Sequence, residues 1–170
     1  SLGPEGFIDD EIVSIASKDH TALGFRLIAK ASPMVNGRIA DMSDLASSSH
    51  GVPRIGILRM DVDNLGMIFS KGLGKNATLA RISTLSSMLS IFFDGWIDEI
   101  CKKENWSGKI YLIYSGGDDL FLIGSWNVIP EIAIRIRDDF RDYTCSNPNF
   151  TLSGGITLAD EKYPLYKSAE

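Results

Sequence analysis

The stretch Tyr-Ser-Gly-Gly-Asp-Asp-Leu-Phe, residues 114–121, decides the fold because it joins two apolar runs through a short polar reversal. Those runs are residues 110–114 and 120–123. Glycine adopts positive φ without strain, so residues 115–118 predict the turn of a β-hairpin between strands at 110–114 and 119–124. Adjacent aspartates at such a turn repel each other, which indicates that a cation normally lies beside them.

Around this hairpin, apolar periodicity predicts further strands and helices. Residues 55–60 form a compact apolar run that ends at Asp61, which is typical of a buried strand. A short helix is predicted over residues 64–70. Apolar residues at steps of three and four between Leu79 and Ile100 predict a long amphipathic helix. The aromatic side chains of this helix are expected in the core: Phe92, Phe93 and Trp96.

The rest of the pattern completes an α+β order. Residues 127–143 fit both a strand and a helix, and their length favours a helix, while residues 150–158 alternate and predict a last strand. From Arg54 the order is β-α-α-β-β-α-β, which is that of a ferredoxin-like fold, an antiparallel sheet packed by helices. Residues 1–50 carry weaker signals and are interpreted as an N-terminal extension or linker from a preceding domain. A strand at 24–29 and a short helix at 42–46 are predicted there.

In this topology the first strand from Arg54 lies beside the third, antiparallel to it. Asp61 ends the first strand and Asp118 and Asp119 begin the third, so we expect these carboxylates, with Asp63, at one edge of the sheet. Hard oxygen ligands suit Mg²⁺ or Mn²⁺, which takes its other ligands from water and substrate phosphates. Two such ions ~4 Å apart can activate a hydroxyl and stabilise a leaving pyrophosphate. The open alternative is that Asp-Val-Asp-Asn forms only a solvated turn and helix cap.

Composition and charge limit which partners and which cellular location are expected for this protein. The 170 residues carry a formal net charge of -5, so the surface as a whole is not an electrostatic footprint for nucleic acid. No apolar run approaches the ~20 residues of a membrane span, and no signal peptide is visible. We therefore expect a cytoplasmic protein without a membrane partner. Cys101 and Cys145 lack the spacing of a zinc site.

Two stretches taken together resemble a known family. Residues 59–69 read Arg-Met-Asp-Val-Asp-Asn-Leu-Gly-Met-Ile-Phe, and residues 113–124 read Ile-Tyr-Ser-Gly-Gly-Asp-Asp-Leu-Phe-Leu-Ile-Gly. This pair is similar to the large palm-domain subunit of type III CRISPR effector complexes, in particular the second, catalytic palm of the interference (Csm-type) branch. The resemblance continues through residues 151–157 and 163–170.

That resemblance implies an activity and a set of partners. The family's palm is similar to nucleotidyl cyclases and diguanylate cyclases, and it binds ATP with Mg²⁺ or Mn²⁺. It joins AMP units into cyclic oligoadenylates, messengers of antiviral defence, when the complex holds foreign target RNA. The implied partners are the other subunits of a type III effector complex, ATP, and, through the complex, crRNA and target RNA.

The resemblance also assigns roles to individual residues. It implies a nucleotidyltransferase with catalytic carboxylates at Asp61, Asp118 and Asp119. The implied metal ligands are these three carboxylates and one backbone carbonyl, that of Val62. The residues implied to contact the nucleotide lie beside them: Val62, Asp63, Asn64, Ser115, Gly116 and Gly117. Ser115 is expected to face a phosphate, and the two glycines to lie beneath the nucleotide.

The resemblance bears on domain organisation too. The palm is expected to occupy residues 51–170 and to be truncated at its C-terminus, because the helix that begins at Pro164 is cut. In the family, the linking site lies between two palms that each present one ATP. A lone palm then holds half of an active site, so we expect the isolated chain to bind metal and ATP but to synthesise little product.

Two other functions stay open. One is a stand-alone diguanylate cyclase, although Asp119 and Leu120 stand where that family has Glu and Phe. The other is a non-catalytic scaffold palm that only packs against other CRISPR subunits. Metal binding by the acidic edge separates the scaffold from both enzymes.

Overall fold

Four long strands form the predicted sheet, and helices cover it. A computed structural model describes residues 29–103 and 105–164 of the chain. The strands are β1 (Met34–Val35), β2 (Arg38–Ile39), β3 (Ile55–Val62), β4 (Ile110–Gly116), β5 (Asp119–Ser125) and β6 (Leu152–Ala159). The α-helices are α1 (Met42–Ser47), α2 (Leu65–Met67), α3 (Leu79–Ser90), α4 (Ile97–Cys101) and α5 (Ile129–Tyr143). A π-helical turn follows α2 at Ile68–Gly72 and another follows α3 at Ile91–Trp96, and a 3₁₀ turn lies at Gly74–Asn76.

The main sheet has the order β4-β5-β3-β6, and all its neighbouring strands are antiparallel. This is the ferredoxin-like order, and it confirms the predicted α+β class. The predicted pairing of the first and third strands is the pairing of β3 with β5. β1 and β2 form a separate small hairpin whose turn contains Asn36 and Gly37, both at positive φ.

Two hydrophobic clusters lie on opposite faces of the sheet, because side chains alternate between faces along each strand. One face, the helix face, packs against α3, α4 and α5, and its β3 side chains are Leu58, Met60 and Val62. The other face, the α1 face, packs against α1 through Ile55 and Ile57 of β3. Further along β3 the α1 face carries the exposed residues Arg59 and Asp61.

The helix predicted over residues 79–100 is continuous, but a π turn rotates its buried side. α3 leads into the π turn Ile91–Trp96, which leads into α4. A π turn holds an extra residue, so Phe93 is fully buried whereas Trp96 is 37% exposed. The prediction that Trp96 lies in the core is therefore wrong. Its indole N–H instead donates to the Asp139 carboxylate at 2.8 Å.

The other local predictions divide into three groups. The short helix near residue 42 and the helix over the ambiguous segment 127–143 are confirmed as α1 and α5. Phe150, predicted in the last strand, precedes β6. The strand predicted from residue 24 and the helix predicted from Pro164 fall on residues outside those described, apart from Ala29 and Pro164 themselves. None of the helices within the described ranges is both long and apolar enough to cross a membrane.

The described part of the N-terminal segment packs onto the sheet edge. The Ala31 carbonyl accepts a hydrogen bond from the Leu112 N–H of β4 at 2.9 Å. One residue earlier, the Lys30 N–H donates to the Asp98 carboxylate of α4 at 2.9 Å. Ala31 is buried in the helix-face cluster. The domain boundary near residue 50 stays a prediction.

Because the π turn changes which side of the helix is buried, truncating Phe93 and truncating Trp96 should lower the free energy of unfolding by different amounts. Phe93→Ala should lower the free energy of unfolding by about 3–5 kcal/mol, because it removes a fully buried ring. Trp96→Ala should cost less than about 2 kcal/mol, because a partly exposed ring and one hydrogen bond are lost. Urea unfolding of both variants measures the difference, and equal losses would contradict the π-turn register.

Candidate functional site

The β3–β5 register brings two carboxylates directly opposite each other. Asp61 of β3 pairs with Asp119 of β5, and on its other side it pairs with Ser153 of β6. Directly opposite residues of antiparallel strands place their side chains on the same face. Asp119, Asp61 and Ser153 thus form a row across three strands on the α1 face. The predicted convergence of Asp61 with Asp119 is present in the structure.

The hairpin turn adds a third carboxylate to this edge. The turn is shorter than predicted: Ser115 and Gly116 belong to β4, and Gly117, at φ +70°, and Asp118 make the reversal. The Asp118 carbonyl accepts a hydrogen bond from the Val62 N–H at 3.0 Å, which ties the turn to the end of β3. Partial burial, and then the negative charges of Asp61 and Asp119, raise the pKa of Asp118 above its ordinary value.

Asp63 is held by the loop before β6. Its N–H donates to the Thr151 carbonyl at 2.9 Å, and its carboxylate accepts from the Thr151 hydroxyl at 2.6 Å. Hydrogen bonds from Thr151 and then Ser153 lower the pKa of Asp63. Asn64 adopts a left-handed conformation at the start of α2 and makes no side-chain cap. No capping hydrogen bond from Asn64 therefore supports the alternative that Asp-Val-Asp-Asn is only a turn and a helix cap.

Ser115 differs from its expected role. Its hydroxyl donates to the Phe93 carbonyl at 2.6 Å, so it points to the helix face and anchors the hairpin to the π turn. This orientation does not support the expected phosphate contact of Ser115, which stays a prediction. At Gly116 a Cβ atom would lie 3.0 Å from the Asp94 carboxylate oxygen, so this residue packs closely against the same π turn.

The donor set fits a divalent cation that keeps other ligands. Residues 29–103 and 105–164 hold no group of three or more His, Cys, Asp or Glu side chains arranged as a metal cage. The edge instead offers the facing pair Asp61 and Asp119, the adjacent Asp118, and the backbone of Val62, whose side chain is buried. Mg²⁺ is commonly bound by one or two carboxylates plus phosphates and water. Metal ligation by these residues stays a prediction.

A groove lies beside the acidic edge, and no sequence pattern predicts it. Its volume is about 690 Å³, within the range of small-molecule sites. It lies between the π turn after α2, the α3 residue Leu85 and the loop that precedes β6. Its walls are apolar side chains with amide and amino groups among them: Met67, Ile68, Leu73, Leu85, Phe150, Asn64, Lys71, Asn147 and Asn149. Asn64 and Thr151 connect it to Asp63.

Tyr114 is a second feature that sequence reasoning missed. Its hydroxyl donates to the Gly116 carbonyl at 3.2 Å. A hydrogen bond to Asp119, followed by burial and nearby carboxylates, raises the pKa of Tyr114. In the sequence, Tyr114 is recognisable only as the end of an apolar run. Its position two residues before the glycines was the available signal.

Comparison with known families identifies the domain that carries the acidic edge. A family model described as Cas10/Cmr2, second palm domain, matches residues 54–170, which is most of the chain. The chain belongs to this Cas10/Cmr2 palm family. Both motif stretches lie inside the matched region, so the resemblance inferred from them is confirmed.

Curated relatives of this Cas10/Cmr2 palm are much longer proteins. One from Methanocaldococcus jannaschii, named CRISPR system single-strand-specific deoxyribonuclease Cas10/Csm1 (subtype III-A), is 44% identical over 160 residues, covering 85% of this chain and 20% of the relative. A protein of the same name from Enterococcus italicus is 42% identical over 120 residues, covering 70% of this chain and 15% of the relative. The chain therefore spans a fifth or less of these relatives.

Solved structures share the fold. The Csm1–Csm4 cassette in complex with AMPPNP has a TM-score of 0.74 at 31% identity, covering 84% of this chain and 22% of that chain. The cassette in complex with cA4 has a TM-score of 0.74 at 30% identity, with the same coverage. Csm1 from T. onnurineus has a TM-score of 0.72 at 30% identity, covering 85% of this chain and 22% of that chain. The palm fold is confirmed by these similarities.

Because the carboxylates lie close together, we expect Asp118→Asn to raise the thermal stability of the ligand-free chain by an amount that depends on pH. The raised pKa means that the folded state disfavours the charged form of Asp118. The contribution of protonated Asp118 to folding stability is fully present below the ordinary pKa of 3.8. It is lost as pH rises through the raised pKa of the folded state. Asp118→Asn should therefore raise the melting temperature of the ligand-free chain at pH 7, by a margin that shrinks toward pH 4.

Asp138→Asn is the matched control, because its ion pairs with Arg137 and Arg141 are on the surface and contribute little. Thermal unfolding followed by circular dichroism measures both variants across pH. A gain for Asp118→Asn that persists unchanged at low pH would show that charge repulsion is not its cause.

Proposed function

We propose that this chain is a catalytic palm of a type III CRISPR large subunit. It binds ATP with Mg²⁺ or Mn²⁺ at the acidic edge and, within the complete complex, takes part in the synthesis of cyclic oligoadenylates. The observation that carries the proposal is the register that sets Asp61 opposite Asp119 beside the Asp118 turn. Carboxylates placed together without a cation destabilise the protein, and this arrangement is explained if a cation is normally bound.

Different residues of the chain bind the cation and leave room for the phosphates. Asp61, Asp118 and Asp119 hold the cation, with the Val62 carbonyl as a further ligand. When bound, the cation neutralises phosphate charge and promotes attack by a hydroxyl. A Cβ atom at Gly117 would meet nothing within 4 Å, so the turn leaves open space for phosphates.

The groove next to Asn64 is suited to the nucleoside. Its apolar walls exclude water from the flat faces of a base, while its amide groups supply donors and acceptors for the base edge and ribose. Thr151 fixes Asp63 at the mouth of this groove, which orients the loop between the groove and the acidic edge. The base and the phosphates would then lie on opposite sides of the start of α2.

The relatives support the proposal and its partners. Structures of the Csm1–Csm4 cassette contain AMPPNP or cA4, an ATP analogue and an oligoadenylate in the molecules that share this fold. We propose that a Csm4-like subunit and the remaining subunits of a type III-A complex are partners of the protein that contains this chain, with crRNA and target RNA bound through that complex. We also propose that it acts in the cytoplasm.

Linking two nucleotides needs a second nucleotide held in line with the first. Much of the rate of phosphoryl transfer comes from that positioning. The sequence contains one Asp-Val-Asp-Asn and one Gly-Gly-Asp-Asp. The chain therefore supplies one nucleotide site, and the partner site comes from another palm.

The test is an assay of the complete large subunit in its RNA-bound complex. With ATP and Mn²⁺ we expect cyclic oligoadenylates by mass spectrometry, whereas this chain alone should yield little or none. Asp61→Asn and Asp119→Asn should reduce synthesis to background because each removes a metal ligand. Asp138→Asn on α5 should leave it unchanged, since that carboxylate is a surface residue.

Parallel reactions with GTP and with single-stranded DNA separate the alternatives. A cyclic guanine dinucleotide would indicate a diguanylate cyclase. DNA cleavage that disappears in Asp61→Asn would assign to this edge the deoxyribonuclease activity for which the relatives are named. If Asp61→Asn alters no metal-dependent reaction, the palm is a scaffold and the proposal is wrong.

A further inference from the structure

A β-bulge in β4 determines which face of the sheet Tyr114 occupies. Leu112 pairs with Leu122, but Tyr114 pairs with Phe121, so Ile113 is an extra residue without a partner of its own. Without the bulge Tyr114 would pair with Leu120, whose side chain is buried on the helix face. Bulges of this kind re-aim side chains, and they are common near active sites.

The bulge places Tyr114 on the α1 face together with the acidic row. Its partner Phe121 pairs in turn with Arg59, two residues before Asp61 on the same face of β3. Two residues after Tyr114, Gly116 pairs with Asp119. Because residues two apart share a face of a strand, Tyr114 lies next to the pair formed by Gly116 and Asp119.

The Tyr114 hydroxyl has two acceptors and one proton. It donates to the Gly116 carbonyl oxygen at 3.2 Å. The Asp119 carboxylate beside it is a second available acceptor, and its interaction with the hydroxyl is the main cause of the raised pKa of Tyr114. A carboxylate is the stronger acceptor, because hydrogen bonds to charged groups are about twice as strong as those between neutral groups. The Asp119 carboxylate therefore competes with the Gly116 carbonyl for the one proton of this neutral hydroxyl.

We propose that Tyr114 is a positioning residue that orients the Asp119 carboxylate for the cation and its nucleotide. This inference rests on the proposed function, since it concerns the same acidic edge. Fixing one oxygen of Asp119 leaves the other free to coordinate and limits rotation of the side chain away from Asp61. Partners that orient a metal ligand in this way typically change metal affinity by about 10- to 100-fold.

Tyr114→Phe tests the proposal, and Tyr111→Phe is a matched control. Tyr111 lies on the same strand and the same face, where it packs against the apolar cluster and not beside the acidic row. Mn²⁺ binding to the 170-residue chain with AMPPNP present is measured by electron paramagnetic resonance of the free ion. Tyr114→Phe should weaken Mn²⁺ binding about tenfold, with Tyr111→Phe matching the unchanged protein.

Two further measurements separate positioning from folding. The ligand-free melting temperature of Tyr114→Phe should fall only slightly, because the side chain is 49% exposed and its one backbone hydrogen bond, to the Gly116 carbonyl, contributes little. In the complete subunit, synthesis lost through Tyr114→Phe should recover at raised Mn²⁺ concentration, which restores occupancy of a weakened metal site. A purely structural defect would not respond to metal.

The outcomes distinguish this inference from the proposed function. If Asp119→Asn abolishes Mn²⁺ binding while Tyr114→Phe binds as tightly as the unchanged chain, Tyr114 does not position Asp119. Equal weakening of Mn²⁺ binding by Tyr114→Phe and Tyr111→Phe, or a large fall in the melting temperature of Tyr114→Phe, also overturns the inference. If the unchanged chain binds no Mn²⁺ with AMPPNP, both the proposed function and the role of Tyr114 fail.

Discussion

Seven consecutive residue pairs join β3 to β5, from Ile55 opposite Ser125 to Asp61 opposite Asp119. A slip of one residue would move every side chain of β3 to the wrong face, which would expose Leu58 and its neighbours and bury Asp61. The apolar residues of β3 therefore fix the register, and the same register fixes the acidic pair. Core packing and the candidate site depend on one set of hydrogen bonds.

The acidic edge is unfavourable by itself, and surrounding contacts hold it in place. The Val62 N–H binds the Asp118 carbonyl, the Ser115 hydroxyl binds the Phe93 carbonyl, and Asp63 is bound by Thr151. These bonds connect both ends of the carboxylate cluster to the sheet and to the π turn. Functional sites commonly keep such local conflicts, because the arrangement that binds a ligand is not the one that is most stable when empty.

The sequence predicted the sheet order, the β3–β5 pairing and the convergence of Asp61 with Asp119, because strand and helix periods differ clearly over long apolar runs. It did not predict two one-residue insertions, the π turn around Phe93 and the bulge at Ile113. Apolar residues are so frequent in both segments that several registers bury a similar surface. The bulge turns Ser115 to the helix face and Tyr114 to the α1 face, an orientation that simple alternation along β4 does not predict.

The most direct measurement is the location of Mn²⁺ in the chain by paramagnetic broadening of backbone amide signals, with AMPPNP present. The amides of Asp61, Val62, Asp118 and Asp119 should broaden first, at metal concentrations that leave those of α1 unaffected. The same experiment on Asp61→Asn should show no selective broadening. Broadening that is uniform, or that begins elsewhere in the described chain, would contradict the assignment of the acidic edge as the metal and nucleotide site.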